Sequence, residues 1–83
     1  MKLGDIEAQA IYSNHAIRSV VEEVFREGEK SVRIHTAWQL NNGQILLYEY
    51  SPRSTPVSSF CLYDCLDDYN ELCSELEWVH GKR

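Results

Sequence analysis

The dipeptide Asn42-Gly43 most constrains what this sequence can form, because it lies between two runs of β-forming residues, SVRIHTAWQL and QILLYEY. Asn-Gly is typical of a two-residue type I′ hairpin turn, in which both central residues need a positive φ. The sequence therefore predicts a β-hairpin over residues 31–50. Trp38 would pair with Leu47 and Thr36 with Glu49 in that hairpin.

The two faces of the predicted hairpin differ in chemistry. Apolar side chains that predict a core occupy the first face: Val32, Ile34, Trp38, Leu40, Ile45 and Leu47. The second face carries Arg33, His35, Tyr48 and Tyr50, which is more aromatic and more basic than a solvated face. We therefore expect the second face to have a function, extended by Arg53 and Tyr63.

Hydrophobic periodicity predicts the flanking elements. Residues 15–28 place apolar side chains at helical spacing from Ile17 to Phe25, which predicts an amphipathic helix that ends at Gly28. Residues 57–63 are rich in β formers and predict a third strand, and Asp64 would cap a helix that runs to Trp78 or His80. Residues 5–12 fit either a strand or a short helix; their Ala, Glu and Gln content favours the helix.

These elements predict a single small α+β domain over residues 1–83, with the order α-β-β-β-α and an extra N-terminal helical turn. The simplest packing has two layers, in which both helices cover one face of a three-stranded antiparallel sheet. The face that carries Tyr48 and Tyr50 would then be uncovered.

Composition narrows the classes of function. The net charge is −5, and only residues 31–57, with Arg33 and Arg53 against Glu49, carry a positive balance. Phosphate backbones are bound mainly through Lys and Arg, so an acidic chain fits a protein partner with a basic surface better than nucleic acid. The N-terminal residues lack the apolar region of a secretory signal and no stretch is long enough to span a membrane, so we expect a cytoplasmic protein.

Two surfaces are candidates for partner binding. The first is the sheet face of Arg33, His35, Tyr48 and Tyr50, which could contact a protein, a second copy of the chain or the bases of a single-stranded nucleic acid. Cross-strand packing of tyrosines also explains part of this pattern. The second is an acidic ridge on the last predicted helix, suited to a basic groove or to nucleic-acid mimicry. Its residues are Asp64, Asp67, Asp68, Glu71 and Glu75.

The remaining reactive residues do not predict an enzyme, a metal site or a cofactor. Cys61, Cys65, Cys73 and His80 are too far apart along a helix to share one zinc ion. Asp64 beside Cys65 opposes formation of a thiolate, and no histidine is placed by local spacing to act as its base. Three cysteines, an odd number, predict reduced thiols that pack as small apolar groups.

The sequence therefore predicts a small, acidic, non-enzymatic protein-binding module, such as an inhibitor, an antidote or an adaptor. Many chains of this kind come from phages and mobile elements. Self-association through the aromatic face or an edge strand is a further expectation, and binding of single-stranded nucleic acid is the alternative.

Overall fold

The computed structural model describes residues 1–26 and 31–81, which form an α+β fold. The elements in chain order are β1 (Lys2–Leu3), α1 (Asp5–Asn14), β2 (Ile17–Arg26), β3 (Val32–Leu40), β4 (Ile45–Ser51), β5 (Val57–Tyr63), α2 (Leu66–Ser74) and β6 (Glu77–Gly81). The strands form one antiparallel sheet of six strands in the order β1-β5-β4-β3-β2-β6. The predicted three-stranded sheet with two helices on one face is therefore wrong.

The predicted helix over residues 15–28 is the strand β2, and Gly28 lies outside the described residues. Val20 and Val21 point to opposite faces of the sheet, as do Val24 and Phe25. A strand that packs against apolar groups on both faces has apolar residues at adjacent sequence positions. Their spacing along the sequence then resembles the spacing in an amphipathic helix. The three β-branched valines favour the strand.

The predicted C-terminal helix is shorter than expected, because α2 ends at Ser74 and residues 77–81 form β6. After the helix, the backbone N–H groups of Glu75 and Leu76 donate to the carbonyls of Leu72 and Cys73. Two other expectations are confirmed. Residues 5–12 are helical, with Gly4 as the N-cap of α1, and β5 covers the predicted third strand, Val57–Tyr63.

The hairpin between β3 and β4 is confirmed, but the predicted register is wrong by one residue. The backbone N–H of Leu40 donates to Gln44, and that of Gly43 donates back to Leu40, so the loop has three residues. Within this loop only Gly43 has a positive φ, 91°, whereas a type I′ turn would also require one at Asn42. Thr36 therefore pairs with Tyr48 rather than with Glu49.

The two helices cover opposite faces of the sheet. α1 joins β1 to β2 and α2 joins β5 to β6, and both connections cross three strands in the same direction. The strands from which they start, β1 and β5, are antiparallel. Two crossovers of the same hand must then lie on opposite faces, and crossovers between parallel strands are almost always right-handed.

Each helix seals one apolar cluster against the sheet. Under α1 lie Ala8, Leu3, Leu40 and Leu46, with Trp38 and Phe60 packed beside them. The cluster under α2 includes these buried residues: Phe25, Ala37, Ile45, Leu47, Tyr69 and Cys73. Within residues 1–26 and 31–81, no helix is long and apolar enough to cross a membrane.

The loop geometry predicts a specific cost at Gly43. An alanine there would hold a left-handed conformation, and nothing lies within 4 Å of the added Cβ, so backbone strain is the only penalty. We expect Gly43→Ala to lower the free energy of unfolding by about 1–2 kcal/mol, and Gly43→Asn by less. Urea denaturation measures both variants. A loss in Gly43→Asn as large as that in Gly43→Ala would contradict the assignment, because asparagine adopts the left-handed conformation more readily than alanine.

Candidate functional site

The residues of the predicted functional face are divided between the two faces of the sheet. Because the register differs by one residue, His35 pairs with Glu49 on the α2 side, while Tyr48 pairs with Thr36 on the α1 side. Arg33 and Tyr63 also lie on the α2 side, and Tyr50 lies on the α1 side. The expectation that all of them share one surface is therefore wrong.

The structure shows a contact for each of the other three residues of the predicted face, Arg33, Arg53 and Tyr63. The Arg33 guanidinium forms an ion pair with the Glu49 carboxylate, and both side chains are largely buried. Arg53 is exposed in the loop after β4, where its backbone N–H donates to the carbonyl of Ser51. The Tyr63 ring packs 6.3 Å from that of Tyr69. Arg33 and Tyr63 therefore lie on the opposite side of the sheet from Tyr48 and Tyr50.

Three buried polar side chains connect α2 to the sheet. Glu23, His35 and Tyr69 are 2%, 0% and 3% exposed. The Tyr69 hydroxyl donates to Oε1 of Glu23 at 3.0 Å, and Nδ1 of His35 lies 3.3 Å from the same hydroxyl. The Tyr69 hydroxyl therefore lies within hydrogen-bonding distance of both other side chains. We call these three residues the buried trio.

Burial also changes the acidity of the tyrosines near α2. It raises the pKa of Tyr63 from its usual value of 10 to about 12, and the nearby Cys61 and Glu49 add to the shift. The pKa of Tyr69 is raised further, first by burial and then by its hydrogen bond to Cys73 and by Glu23. Burial raises the pKa of the Cys61 thiol as well. These hydroxyls and this thiol are therefore neutral near pH 7.

Part of the sheet on the α1 side is covered by neither helix. The register places alternate residues of β2, β3 and β4 there, and they define what we call the open face: Val20, Glu22, Val24, Ile34, Thr36, Tyr48 and Tyr50. Val20 is 44% exposed, although it is apolar. Glu22 is exposed, and the other five side chains are half-buried.

A shallow groove of about 600 Å³ lies over the β2 and β3 part of the open face, and His80 and Gly81 of β6 line its far side. Gly81 has φ 140°, and a Cβ there would lie 2.5 Å from the carbonyl oxygen of Glu22, so glycine allows β6 to approach β2 closely. On the opposite side, Val20 pairs with Trp38, whose ring meets that of Tyr12 of α1 at 5.7 Å. The Val20 end of the groove is therefore the end nearest to α1.

The charge of the open face comes from Glu22. Arg26 lies nearby on β2, but its Nε is 3.5 Å from the carboxylate of Glu77. Neither ion pair found within residues 1–26 and 31–81 includes Glu22. The open face is consequently apolar and aromatic, with one negative charge between two valines.

The predicted acidic ridge is exposed, on the side of the sheet away from the open face. Asp67, Asp68 and Glu71 lie on α2, and Asp64 and Glu75 flank it. Because α2 ends at Ser74, Glu75 lies at the C-cap rather than on a third helical turn. Among the described residues, no group of three or more His, Cys, Asp or Glu side chains could hold a metal ion.

Comparisons with protein-family models, with curated protein sequences and with solved structures find no match to this chain.

The buried trio predicts a clear difference between two tyrosine substitutions. Tyr69→Phe removes the hydroxyl that donates to the buried Glu23 carboxylate, and we expect it to lower the free energy of unfolding by about 1–3 kcal/mol. Tyr12→Phe, at a tyrosine that is 46% exposed, should cost less than about 0.5 kcal/mol. Chemical denaturation measures both. Equal effects would show that the Glu23–Tyr69 hydrogen bond does not stabilise the fold.

The raised tyrosine pKa values predict a loss of stability at alkaline pH. The unfolded state loses the Tyr63 proton near pH 10, whereas the folded state keeps it to about pH 12. Between these values the unfolded state binds fewer protons, so the free energy of unfolding falls as pH rises. Unfolding measured from pH 9 to 12 should show this fall, and Tyr63→Phe and Tyr69→Phe should each make it shallower. An unchanged slope in both variants would contradict the assignment.

Proposed function

We propose that this chain is a non-enzymatic protein-binding module whose open face docks on another protein with a basic surface. The observation that carries the proposal is the chemistry of the area that α1 leaves uncovered. Five apolar or aromatic side chains lie in this area: Val20, Val24, Ile34, Tyr48 and Tyr50. A sheet face that contacts only water normally carries polar side chains at such positions. Exposed apolar areas bordered by polar groups are typical of interaction surfaces.

The opposite face shows what a solvated area looks like in this chain. Beyond the reach of α2, Ser19 and Gln39 face solvent and bond to each other, Oγ to Oε1, at 3.1 Å. Ser59 of β5, which pairs with Glu49, is a further polar residue on this side of the sheet and is half-buried. Val57, at the start of β5, is an isolated exposed apolar residue. The apolar character of the open face is therefore a property of that area and not of uncovered sheet in general.

Binding of single-stranded nucleic acid is less well supported. Tyr48 and Tyr50 could stack against bases, and Tyr48 already packs 4.9 Å from Phe60. A nucleic-acid site also needs cations that track the phosphates. Arg33 is paired with Glu49 on the other side of the sheet, and Glu22 would repel a phosphate.

A non-enzymatic role agrees with the position of the reactive side chains. The buried trio is the densest group of titratable side chains described above, but its members are nearly sealed from solvent. A substrate would have to displace α2 to reach it. The trio is better explained as a polar contact that fixes α2 on the sheet.

The partner class follows from charge. The net charge of −5 attracts a basic protein at long range, and the open face then supplies apolar contact area. A small cytoplasmic inhibitor, antidote or adaptor, encoded by a phage or a mobile element, fits this description. Nucleic-acid mimicry by the acidic ridge would use α2 alone and would leave the open face unused.

A pair of matched substitutions tests the proposed function. Val20 is 44% exposed on the open face, and Val57 is 52% exposed on the other side of the sheet. Both are strand valines, so valine to glutamate has a similar intrinsic cost at each. We expect Val20→Glu to abolish capture of a partner from a lysate of the native host, measured by pull-down and mass spectrometry, while Val57→Glu retains it.

Two results of that experiment would contradict the proposal. Retention of the same partner by Val20→Glu would show that the open face is not the docking surface. Loss of the partner in Glu71→Lys, with full retention in Val20→Glu, would assign the docking to the acidic ridge instead.

A further inference from the structure

The dimensions of the open face set limits on what can cover it. β3 has nine residues, or about 30 Å at 3.3 Å per residue. α1 packs on the end of β3 at Trp38 and Leu40, so the part from Thr36 to Val32 remains, about 13 Å along the strand. An α-helix with its side chains is about 10–12 Å wide. The uncovered length therefore matches one helix beside α1.

A helix fits this area better than an added strand. β2, β3 and β4 are interior strands, and their backbone groups already bond to neighbouring strands. An extended peptide gains main-chain hydrogen bonds at a sheet edge, whereas on a face only side chains can make contact. α1 packs on this same face through Ala8 and Ile11, which shows how a helix meets it.

Charge fixes the chemistry of that helix. Covering the open face would remove the Glu22 carboxylate from water, and a buried carboxylate is costly unless a cation pairs with it. Arg26 is already bonded to Glu77. His80 also lines the groove, but no ion pair among the described residues joins it to Glu22. We therefore assign the cation to the occupant.

A second copy of this chain meets the requirement poorly. A two-fold contact between open faces presents the same residues from both subunits, so each subunit would bring the Glu22 carboxylate and no cation on its own open face. Each subunit would also bring a net charge of −5.

We propose that the open face binds an amphipathic α-helix of a partner protein, whose apolar side chains lie on Val20, Val24 and Ile34 and whose lysine or arginine pairs with Glu22. This inference rests on the proposed function, and it specifies the partner segment. Apolar residues at positions i, i+3 or i+4, and i+7 of the helix, with a basic residue beside them, meet the geometry.

A random library of 16-residue peptides displayed on phage tests the inference with the intact chain as bait. Peptides that bind the wild-type chain but not Val20→Glu are kept, synthesised and titrated. We expect them to be net positive, to show helical apolar spacing and to gain helical circular dichroism on binding. Their affinity should fall at least tenfold in Glu22→Lys and stay within twofold in Glu71→Lys, an equal charge reversal on α2.

The contrary outcomes separate this inference from the proposed function. Val20-dependent peptides that alternate as strands, or that bind Glu22→Lys as well as wild type, would overturn the helix while leaving the proposed function intact. Recovery of no Val20-dependent peptide would also overturn it, and the proposed function would then depend on the lysate capture alone. A Val20-dependent dimer of the chain, seen by light scattering, would identify a second copy as the occupant and overturn the inference.

Discussion

A six-stranded sheet has two faces to cover, and the described part of this chain has one helix for each. That division follows from connectivity, because α1 and α2 cross the sheet in the same direction from antiparallel strands and so must lie on opposite sides. Each helix is about 10–12 Å wide and crosses strands of up to about 30 Å. Both faces therefore keep an uncovered area, and the sequence at those areas decides whether each is solvated or available to a partner.

The side under α2 is closed by apolar packing and by one polar connection. Phe25, Ala37 and Leu47 form the floor of the cluster, and Tyr69 crosses it to donate to Glu23. A buried carboxylate and a buried histidine are tolerated there because the tyrosine hydroxyl lies within bonding distance of both. The trio fixes the position of α2 along β2 and β3, since a shift of α2 would separate the hydroxyl from both partners. On the other side, no such connection among residues 1–26 and 31–81 covers Val20, Val24 and Ile34.

The accuracy of the sequence-based predictions depended on how many faces of each element are buried. β5 and the two hairpin strands were found because their composition favours strands and turn residues bound them. β2 was mistaken for a helix because its apolar residues serve both faces and so fall at helical spacing. The hairpin register failed at the turn, where Asn-Gly fits a three-residue loop as well as a type I′ turn, and local sequence does not distinguish them.

These two errors account for most of the difference between the predicted binding face and the open face of the structure. Tyr48 and Tyr50 were placed correctly together, but the one-residue shift moved Arg33 and His35 to the other face. Val20, Glu22 and Val24 were not predicted as parts of a binding surface. In the predicted helix the valines would belong to the apolar stripe that faces the core. The run of β-branched residues, Val20, Val21 and Val24, was the available signal for a strand there. The buried trio depends on residues that lie far apart in sequence, and no local pattern indicates it.

The most direct test of the open face is the solvent accessibility of individual methyl groups in the isolated, monomeric chain. NMR relaxation caused by an inert, soluble paramagnetic agent reports it without any substitution. The account predicts that the methyl groups of Val20 relax about as strongly as those of the exposed Val57, those of Val24 and Ile34 to an intermediate degree, and those of Leu46 and Leu47 very little. Protection of Val20 and Val24 equal to that of Leu47 would show that this face is already covered within the chain, and would contradict the account.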